Sequence, residues 1–136
     1  MTEAVLDASV VLKWFREEGE RNVASARSLR AAFEAGDLVV FAPPLLGLEI
    51  VNVAGRRWRW AERELVDLAA ALDELGFELM EPELARVARW TARGLTAYDA
   101  AYVALADREA IPLVTDDDFI VRTAPPVATA LNECKT

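Results

Sequence analysis

The hydrophobic residues of this chain fall into short continuous runs and into longer helical repeats. Short runs such as 38–41 are bounded by turn residues and predict buried strands, whereas stretches such as 21–35, with apolar residues every three or four positions, predict amphipathic helices. The predicted strands span 4–7, 38–41, 77–80, 111–115 and 127–131, and the predicted helices span 9–16, 21–35, 45–57, 61–75, 82–93 and 96–110.

Strands and helices alternate along the whole chain. This order predicts the α/β class, with a mostly parallel central sheet flanked by helices in three layers. The chain has 136 residues, of which 54% are hydrophobic, so we expect one domain over residues 1–136 with a full core.

The helix predicted from Leu45 onward is unusual because its first ten residues are apolar on all sides except at Glu49 and Asn52. A helix that is apolar all round is expected to be interior. A buried carboxylate is costly unless a hydrogen-bond network, a proton or a metal compensates it. Glu49 therefore predicts a functional acid, and an internal ion pair with an arginine is the structural alternative.

Other acids follow the predicted strands or begin a helix. Asp7 ends the first strand, the run Asp116–Asp118 follows the fourth, and Asp99 opens a helix. Ligands of parallel sheets bind at the carboxyl ends of the strands, so we expect these acids to meet. Structural alternatives remain: Asp7 as a helix N-cap, and capping pairs of Thr96 with Asp99 and of Thr115 with Asp118.

The composition limits the chemistry of such a cluster. The chain contains no histidine and one cysteine, which excludes a Ser-His or Cys-His nucleophile and nearly excludes structural zinc. Carboxylates are hard oxygen ligands and favour Mg²⁺ or Mn²⁺. The cysteine, Cys134, is expected in a solvated tail. A single unpaired cysteine fits a reducing, cytoplasmic location, and no signal peptide or membrane span is predicted.

The net charge of -8 argues against a basic surface covering the whole domain, but not against a nuclease whose acids bind metal. One basic, aromatic segment stands out at 56–60. Arginine can contact phosphate and tryptophan can stack on unpaired bases. The alternatives are a protein-partner or dimer contact and a helix end whose tryptophans fold onto the core. The residues concerned are Arg56, Arg57, Trp58, Arg59 and Trp60.

Taken in order, four motifs resemble those of the PIN-domain nucleases, and specifically the VapC toxins of prokaryotic type II toxin–antitoxin pairs. Each motif is weak alone, but their order and intervals along nearly the whole chain are fairly specific. The motifs are Val5–Trp14, Glu49–Asn52, Leu95–Ala106 and Leu113–Phe119.

The resemblance implies a PIN-like fold and a quartet of acids that holds Mg²⁺ or Mn²⁺ and hydrolyses RNA. Matched by motif, three of these acids are Asp7, Glu49 and Asp99. For the fourth, the Thr-x-Asp pattern selects Asp117, whereas the family's usual spacing to the following Phe119 selects Asp116. The residues implied to orient the carboxylates are Ser9, Asn52 and Thr115.

The resemblance also implies a homodimer and a cognate antitoxin that holds the enzyme inactive. The competing hypothesis is a non-catalytic protein-binding module, in which the acids serve only as caps and ion-pair partners. A metal-induced gain in thermal stability distinguishes the two, because only a preformed acidic pocket binds the ion.

Overall fold

The structure is a computed structural model and describes residues 2–134. The strands are β1 (Thr2–Leu6), β2 (Leu38–Ala42), β3 (Glu78–Leu79), β4 (Leu113–Thr115) and β5 (Ala128–Ala130). The helices are α1 (Ala8–Phe15), α2 (Val23–Glu34), α3 (Leu45–Arg56), α4 (Glu62–Asp73), α5 (Leu84–Thr91), α6 (Ala97–Glu109) and α7 (Asp118–Thr123).

The five strands form one sheet in the order β3-β2-β1-β4-β5, and every pairing is parallel. The predicted α/β class with flanking helices is therefore confirmed. The central strand β1 pairs Val5 with Phe41 on one side and Leu6 with Val114 on the other. The direction of strand order reverses between β1 and β4, which opens a crevice at their carboxyl ends.

Helix α6 contains the longest run of consecutive buried residues among the helices in the described part of the chain. All seven residues from 100 to 106 are buried, and the helix contacts β1, β4 and α5. Its four alanines in this stretch let the backbone approach the sheet closely. Because it is covered on several sides, its sequence lacks the one-sided apolar stripe of a surface helix.

Helix α3 is less buried than its composition predicts. Its buried residues are Leu46, Ile50 and Ala54, whereas Leu48 is 76% exposed and Asn52 is also exposed. The prediction of an interior helix is therefore wrong. α3 contacts α1 and α4, and its residues Leu45, Val51 and Val53 are partly buried against the core, whereas Leu48 faces outward.

A short helix, α7, follows β4 and is absent from the predicted helices. Its N-cap is Asp117, whose Oδ1 accepts hydrogen bonds from the backbone N–H groups of Phe119 (2.9 Å) and Ile120 (3.4 Å). The capping pair considered for Thr115 and Asp118 is therefore wrong. The six-residue helix is too short to show a clear helical repeat in the sequence.

Two further expectations concern contact with solvent and lipid. Cys134 is half-buried and packs against the core, so its prediction as part of a solvated tail is wrong. Within residues 2–134, every helix is too short or too polar to cross a bilayer.

Candidate active site

Asp7 lies at the floor of the crevice, immediately after β1, and is only 5% exposed. Its Oδ1 accepts a hydrogen bond from Ser9 Oγ and its Oδ2 one from Thr115 Oγ1, each at 2.6 Å. Its side chain makes no capping bond to α1, so the N-cap alternative does not explain the residue. Burial raises the pKa of Asp7 to about 6, although the two hydroxyl donors partly oppose the shift.

Two more aspartates face Asp7 from neighbouring helix N-termini. Asp99 is in the first turn of α6, and Asp117 caps α7. The negative charges of both raise the pKa of Asp7 further. Burial raises the pKa of Asp99 itself, and the charge of Asp117 adds to that increase. The three carboxylates are thus close enough to repel one another.

Asp99 also participates in a helix cap. Its backbone N–H donates to Thr96 Oγ1 at 3.1 Å, as the capping alternative predicted. That bond uses the main chain of Asp99, and a hydrogen bond between Thr96 and the carboxylate partly opposes the rise in the pKa of Asp99. Structural and functional interpretations of this residue are therefore compatible.

Glu49 reaches the same group from α3 and is held by a tyrosine. The hydroxyl of Tyr102, a side chain only 1% exposed, donates to Glu49 Oε1. Burial raises the pKa of Glu49, and the charge of Asp99 contributes, while the bond from Tyr102 lowers it. Sequence reasoning missed Tyr102, although it lies three residues after Asp99 and therefore on the same face of α6.

No ion pair within residues 2–134 neutralises Asp7, Glu49, Asp99 or Asp117. The arginine pair considered for Glu49 is therefore not formed there. In that same range, no three acidic or cysteine side chains stand ready to ligate one ion together. Magnesium commonly takes only one or two carboxylates and completes its shell with water, so an unneutralised group of carboxylates suits this ion. The donor set fits a hydrated divalent cation.

Asp116, the alternative fourth acid, has different surroundings. Its side chain is 8% exposed and pairs with Lys13 Nζ at 2.9 Å and Arg21 Nε at 3.2 Å. Asn22 Nδ2 donates to its other oxygen at 2.8 Å. Burial tends to raise the pKa of Asp116, but the bonds from Lys13 and Asn22 outweigh it, so the net shift is downward.

Sequence reasoning also missed Lys13, which is 3% exposed within α1. A signal was present, because a lysine inside the apolar run 10–15 must either reach solvent or find a buried acid. One acidic partner, Glu20, lies 7 positions along the chain, but the other, Asp116, lies 103 positions away and could not be inferred from local pattern.

The basic segment 56–60 presents a mixed surface. The rings of Trp58 and Trp60 pack against each other with centroids 5.1 Å apart, and both tryptophans are half-buried against the core. Arg16 lies over Trp58, with its Cζ 5.5 Å from the ring centroid. The arginines Arg56, Arg57 and Arg59 are exposed. The tryptophans thus follow the core-packing alternative, and the arginines remain accessible.

Ser9, Thr115 and Asn52 differ in their relation to the acids. Ser9 and Thr115 bind Asp7 directly, as described above. Asn52 is exposed one turn from Glu49, which takes its hydrogen bond from Tyr102 instead. The orienting role predicted for Asn52 stays a prediction.

The parallel sheet and the carboxylate-lined crevice at its switch point define a class of α/β proteins suited to binding divalent cations. Residues 4–124 match the sequence model of the PIN domain. The chain therefore belongs to the PIN-domain family, whose members are generally metal-dependent nucleases. No curated protein matches the chain significantly in sequence.

Solved structures support the same fold. The crystal structure of PAE2754 from Pyrobaculum aerophilum is 23% identical with a TM-score of 0.67, covering 96% of this chain and 90% of that one. FitAcB from Neisseria gonorrhoeae is 16% identical with a TM-score of 0.65, covering 94% and 97%. A structure of FitAB bound to an IR36 DNA fragment is 13% identical with a TM-score of 0.62, covering 98% of each chain.

Proposed function

We propose that this chain is a Mg²⁺- or Mn²⁺-dependent endoribonuclease of the VapC type, inhibited by a cognate antitoxin. The observation that carries the proposal is the unneutralised group of carboxylates at the switch point of the sheet. Burial and mutual repulsion raise the pKa of three of its members, Asp7, Glu49 and Asp99. Such an arrangement is costly on its own and becomes favourable with a bound divalent cation.

We assign the metal-binding quartet to Asp7, Glu49, Asp99 and Asp117. Asp117 is preferred to Asp116 because its charge acts on Asp7 and Asp99, whereas Asp116 is already neutralised by Lys13 and Arg21. Both capping hydrogen bonds of α7 are accepted by Oδ1 of Asp117, and neither of them uses Oδ2. Asp116 then has a structural rather than a ligating role.

The protein's own groups determine how the site is held. Ser9 and Thr115 fix both oxygens of Asp7, and Tyr102 fixes Glu49, so the carboxylates are oriented before any ion arrives. A bound divalent cation would supply Lewis-acid stabilisation of the phosphodiester and lower the pKa of an attacking water. The exposed arginines of segment 56–60 offer contacts for RNA phosphates.

The antitoxin and a homodimer are proposed from the motif resemblance, together with a cytoplasmic location. Exposed apolar side chains support protein contacts: Leu48 is 76% exposed, Leu84 80% and Tyr98 67%. That a similar chain occurs in a FitAB structure bound to DNA also favours an assembly with a second protein.

The decisive experiment is cleavage of a mixed panel of RNAs with Mn²⁺. It compares wild type, Asp7→Asn and the matched control Asp73→Asn, which removes an exposed acid from α4. We expect Asp7→Asn to lower the cleavage rate more than about 100-fold, since even residues that only support metal ligands cost 10–100-fold. EDTA should abolish wild-type cleavage, and Asp73→Asn should cleave normally.

The competing function is a non-catalytic binding module. If wild type neither cleaves any RNA in the panel nor gains thermal stability from Mn²⁺, the acids are structural and that alternative replaces the nuclease. Cleavage that persists in EDTA or in Asp7→Asn would likewise contradict a metal-dependent site centred on Asp7.

A further inference from the structure

We propose that Lys13, Arg21 and Asp116 form an anchor that positions the metal-binding carboxylates without touching the ion. The proposal rests on the proposed function, because it concerns the same site. It assigns a role to a buried lysine and to an aspartate that the quartet does not use.

The anchor joins α1 and the segment that follows it to the turn after β4. Lys13 Nζ contacts Asp116 Oδ2 at 2.9 Å and Glu20 Oε1 at 2.7 Å. Arg21 holds both the side chain and the backbone of Asp116, with its guanidinium 3.2 Å from Oδ2 and 2.8 Å from the carbonyl oxygen. Asn22 donates to the remaining oxygen, Oδ1. Residue 116 is thereby fixed at its carboxylate and its main chain.

From this turn, hydrogen bonds lead directly to Asp7. The backbone N–H of Asp116 donates to Ser9 Oγ at 2.8 Å, and Ser9 Oγ donates to Asp7 Oδ1 at 2.6 Å. The next N–H, that of Asp117, donates to Thr115 Oγ1 at 3.0 Å, and Thr115 donates to Asp7 Oδ2. The hydroxyls of Ser9 and Thr115, which orient Asp7, therefore both accept hydrogen bonds from backbone N–H groups of the anchored turn. The turn also positions Asp117, the N-cap of α7.

Burial makes the anchor specific. The side chains of Lys13 and Asp116 are 3% and 8% exposed, so little water is available to replace either partner. Lys13 pairs with both Asp116 and the neighbouring Glu20, and Arg21 also pairs with Asp116. These ion pairs separate the two acids from the unneutralised quartet. The anchor holds the turn in place and does not compete for the cation.

The positioning role and simple electrostatic attraction predict opposite changes in cation affinity for the substitution Lys13→Met. Lys13→Met removes a positive charge close to an acidic site, so electrostatic attraction alone would tighten binding of a divalent cation. Loss of the anchor would instead loosen the turn that orients Asp7 and Asp117. We expect the positioning effect to win and Mn²⁺ affinity to fall about 10-fold, at the lower end of the cost of losing groups that support metal ligands.

The experiment is calorimetric titration of Mn²⁺ alone into wild type, Lys13→Met, Asp116→Asn and the control Arg27→Met. Arg27 pairs with Glu17 in the same region but does not touch Asp116, so its substitution removes a charge and leaves the anchor intact. We expect weaker binding in Lys13→Met and Asp116→Asn with unchanged stoichiometry, no weakening in Arg27→Met, and no further loss in the Lys13→Met/Asp116→Asn double variant.

Three results would overturn the anchor. Unchanged or tighter Mn²⁺ binding by Lys13→Met would show that the lysine acts only as a charge or in the general fold. Loss of the binding event in Asp116→Asn would make Asp116 a direct ligand. If wild type binds Mn²⁺ and cleaves RNA while the variants bind Mn²⁺ with normal affinity, only the anchor is wrong. If wild type neither binds Mn²⁺ nor cleaves RNA, the proposed function is wrong as well.

A milder variant covers the case in which Lys13→Met does not fold. Arg21 is 59% exposed, so Arg21→Met removes two contacts to Asp116 from a side chain at the surface. The buried carboxylate of Asp116 keeps its ion pair with Lys13 in this variant. We expect about 3-fold weaker Mn²⁺ binding, the scale of an exposed ion pair. Tighter binding in this variant would contradict the proposal in the same way.

Discussion

Asp116 and Asp117 are neighbours in sequence with the same charge, yet they lie in opposite electrostatic surroundings. Asp116 is surrounded by Lys13, Arg21 and Asn22, and its pKa is lowered as a result. Asp117 caps a helix and shares the crevice with Asp7 and Asp99, whose pKa values its charge raises. The contrast shows that the fold neutralises one of two neighbouring acids and leaves the other without a cationic partner.

The same contrast extends to free energy. Asp116 and its partners form a compensated group whose charges stabilise the fold. Asp7 is ionised near neutral pH at a cost, since its pKa in the folded state is about 6 against an ordinary value of 3.8. This rise in the pKa of Asp7 lowers the free energy of unfolding of the metal-free protein at pH 7 by an amount on the order of 3 kcal/mol.

The largest expected effect that separates Asp7 from Asp116 is the pH dependence of the free energy of unfolding. A raised pKa means that the folded state holds the proton more tightly than the unfolded chain. The metal-free protein should therefore gain stability as pH falls from 7 to 5. Asp116, whose pKa is lowered, stays ionised across this window and does not contribute. Urea unfolding in EDTA at both pH values measures the gain.

Asp7→Asn is the matched variant for that measurement. It keeps the shape of the side chain and removes its titration, so it should be more stable than wild type at pH 7 by up to about 3 kcal/mol. A smaller pH slope should persist because the pKa values of Glu49 and Asp99 are also raised. Equal slopes in wild type and variant would show that Asp7 is not the strained group.

A smaller effect is expected at Thr115, which is fully buried and donates to Asp7. Thr115→Val keeps the volume but removes the hydroxyl, so both Asp7 and the N–H of Asp117 lose a partner. We expect Mn²⁺ affinity to fall roughly 10- to 100-fold, as for other groups that orient metal ligands.

Thr115→Ser is the control for that prediction, because it retains the hydroxyl and loses only a methyl group. Its Mn²⁺ affinity should stay close to that of wild type. If Thr115→Val and Thr115→Ser bind Mn²⁺ equally well, the hydroxyl does not orient the carboxylate.

The sequence was sufficient to predict the parallel α/β fold and to select the acids that the fold brings together. Asp7 and Asp117 follow adjacent strands, so their meeting is a consequence of parallel topology. The ion pairs that distinguish Asp116 from Asp117 could not be predicted, because they come from Lys13 and Arg21, about 100 positions earlier in the chain. The exposed side of α3 was also missed, because apolar composition does not show which face lacks a neighbour.

The smallest expected effect concerns Tyr102, which donates a hydrogen bond to the half-buried Glu49. Tyr102→Phe leaves the ring packed in α6 and removes only the hydroxyl that donates to Glu49. Because Glu49 is half-buried, water can replace part of that bond, so we expect a loss of about 1 kcal/mol, or roughly 5-fold in Mn²⁺ affinity. Tyr98→Phe, which removes the hydroxyl of an exposed tyrosine on the same helix, is the control and should bind Mn²⁺ normally.

A loss of Mn²⁺ affinity in Tyr102→Phe as large as that of Thr115→Val would mean that Glu49 is held as rigidly as Asp7. No loss would mean that Glu49 finds its position through the ion itself.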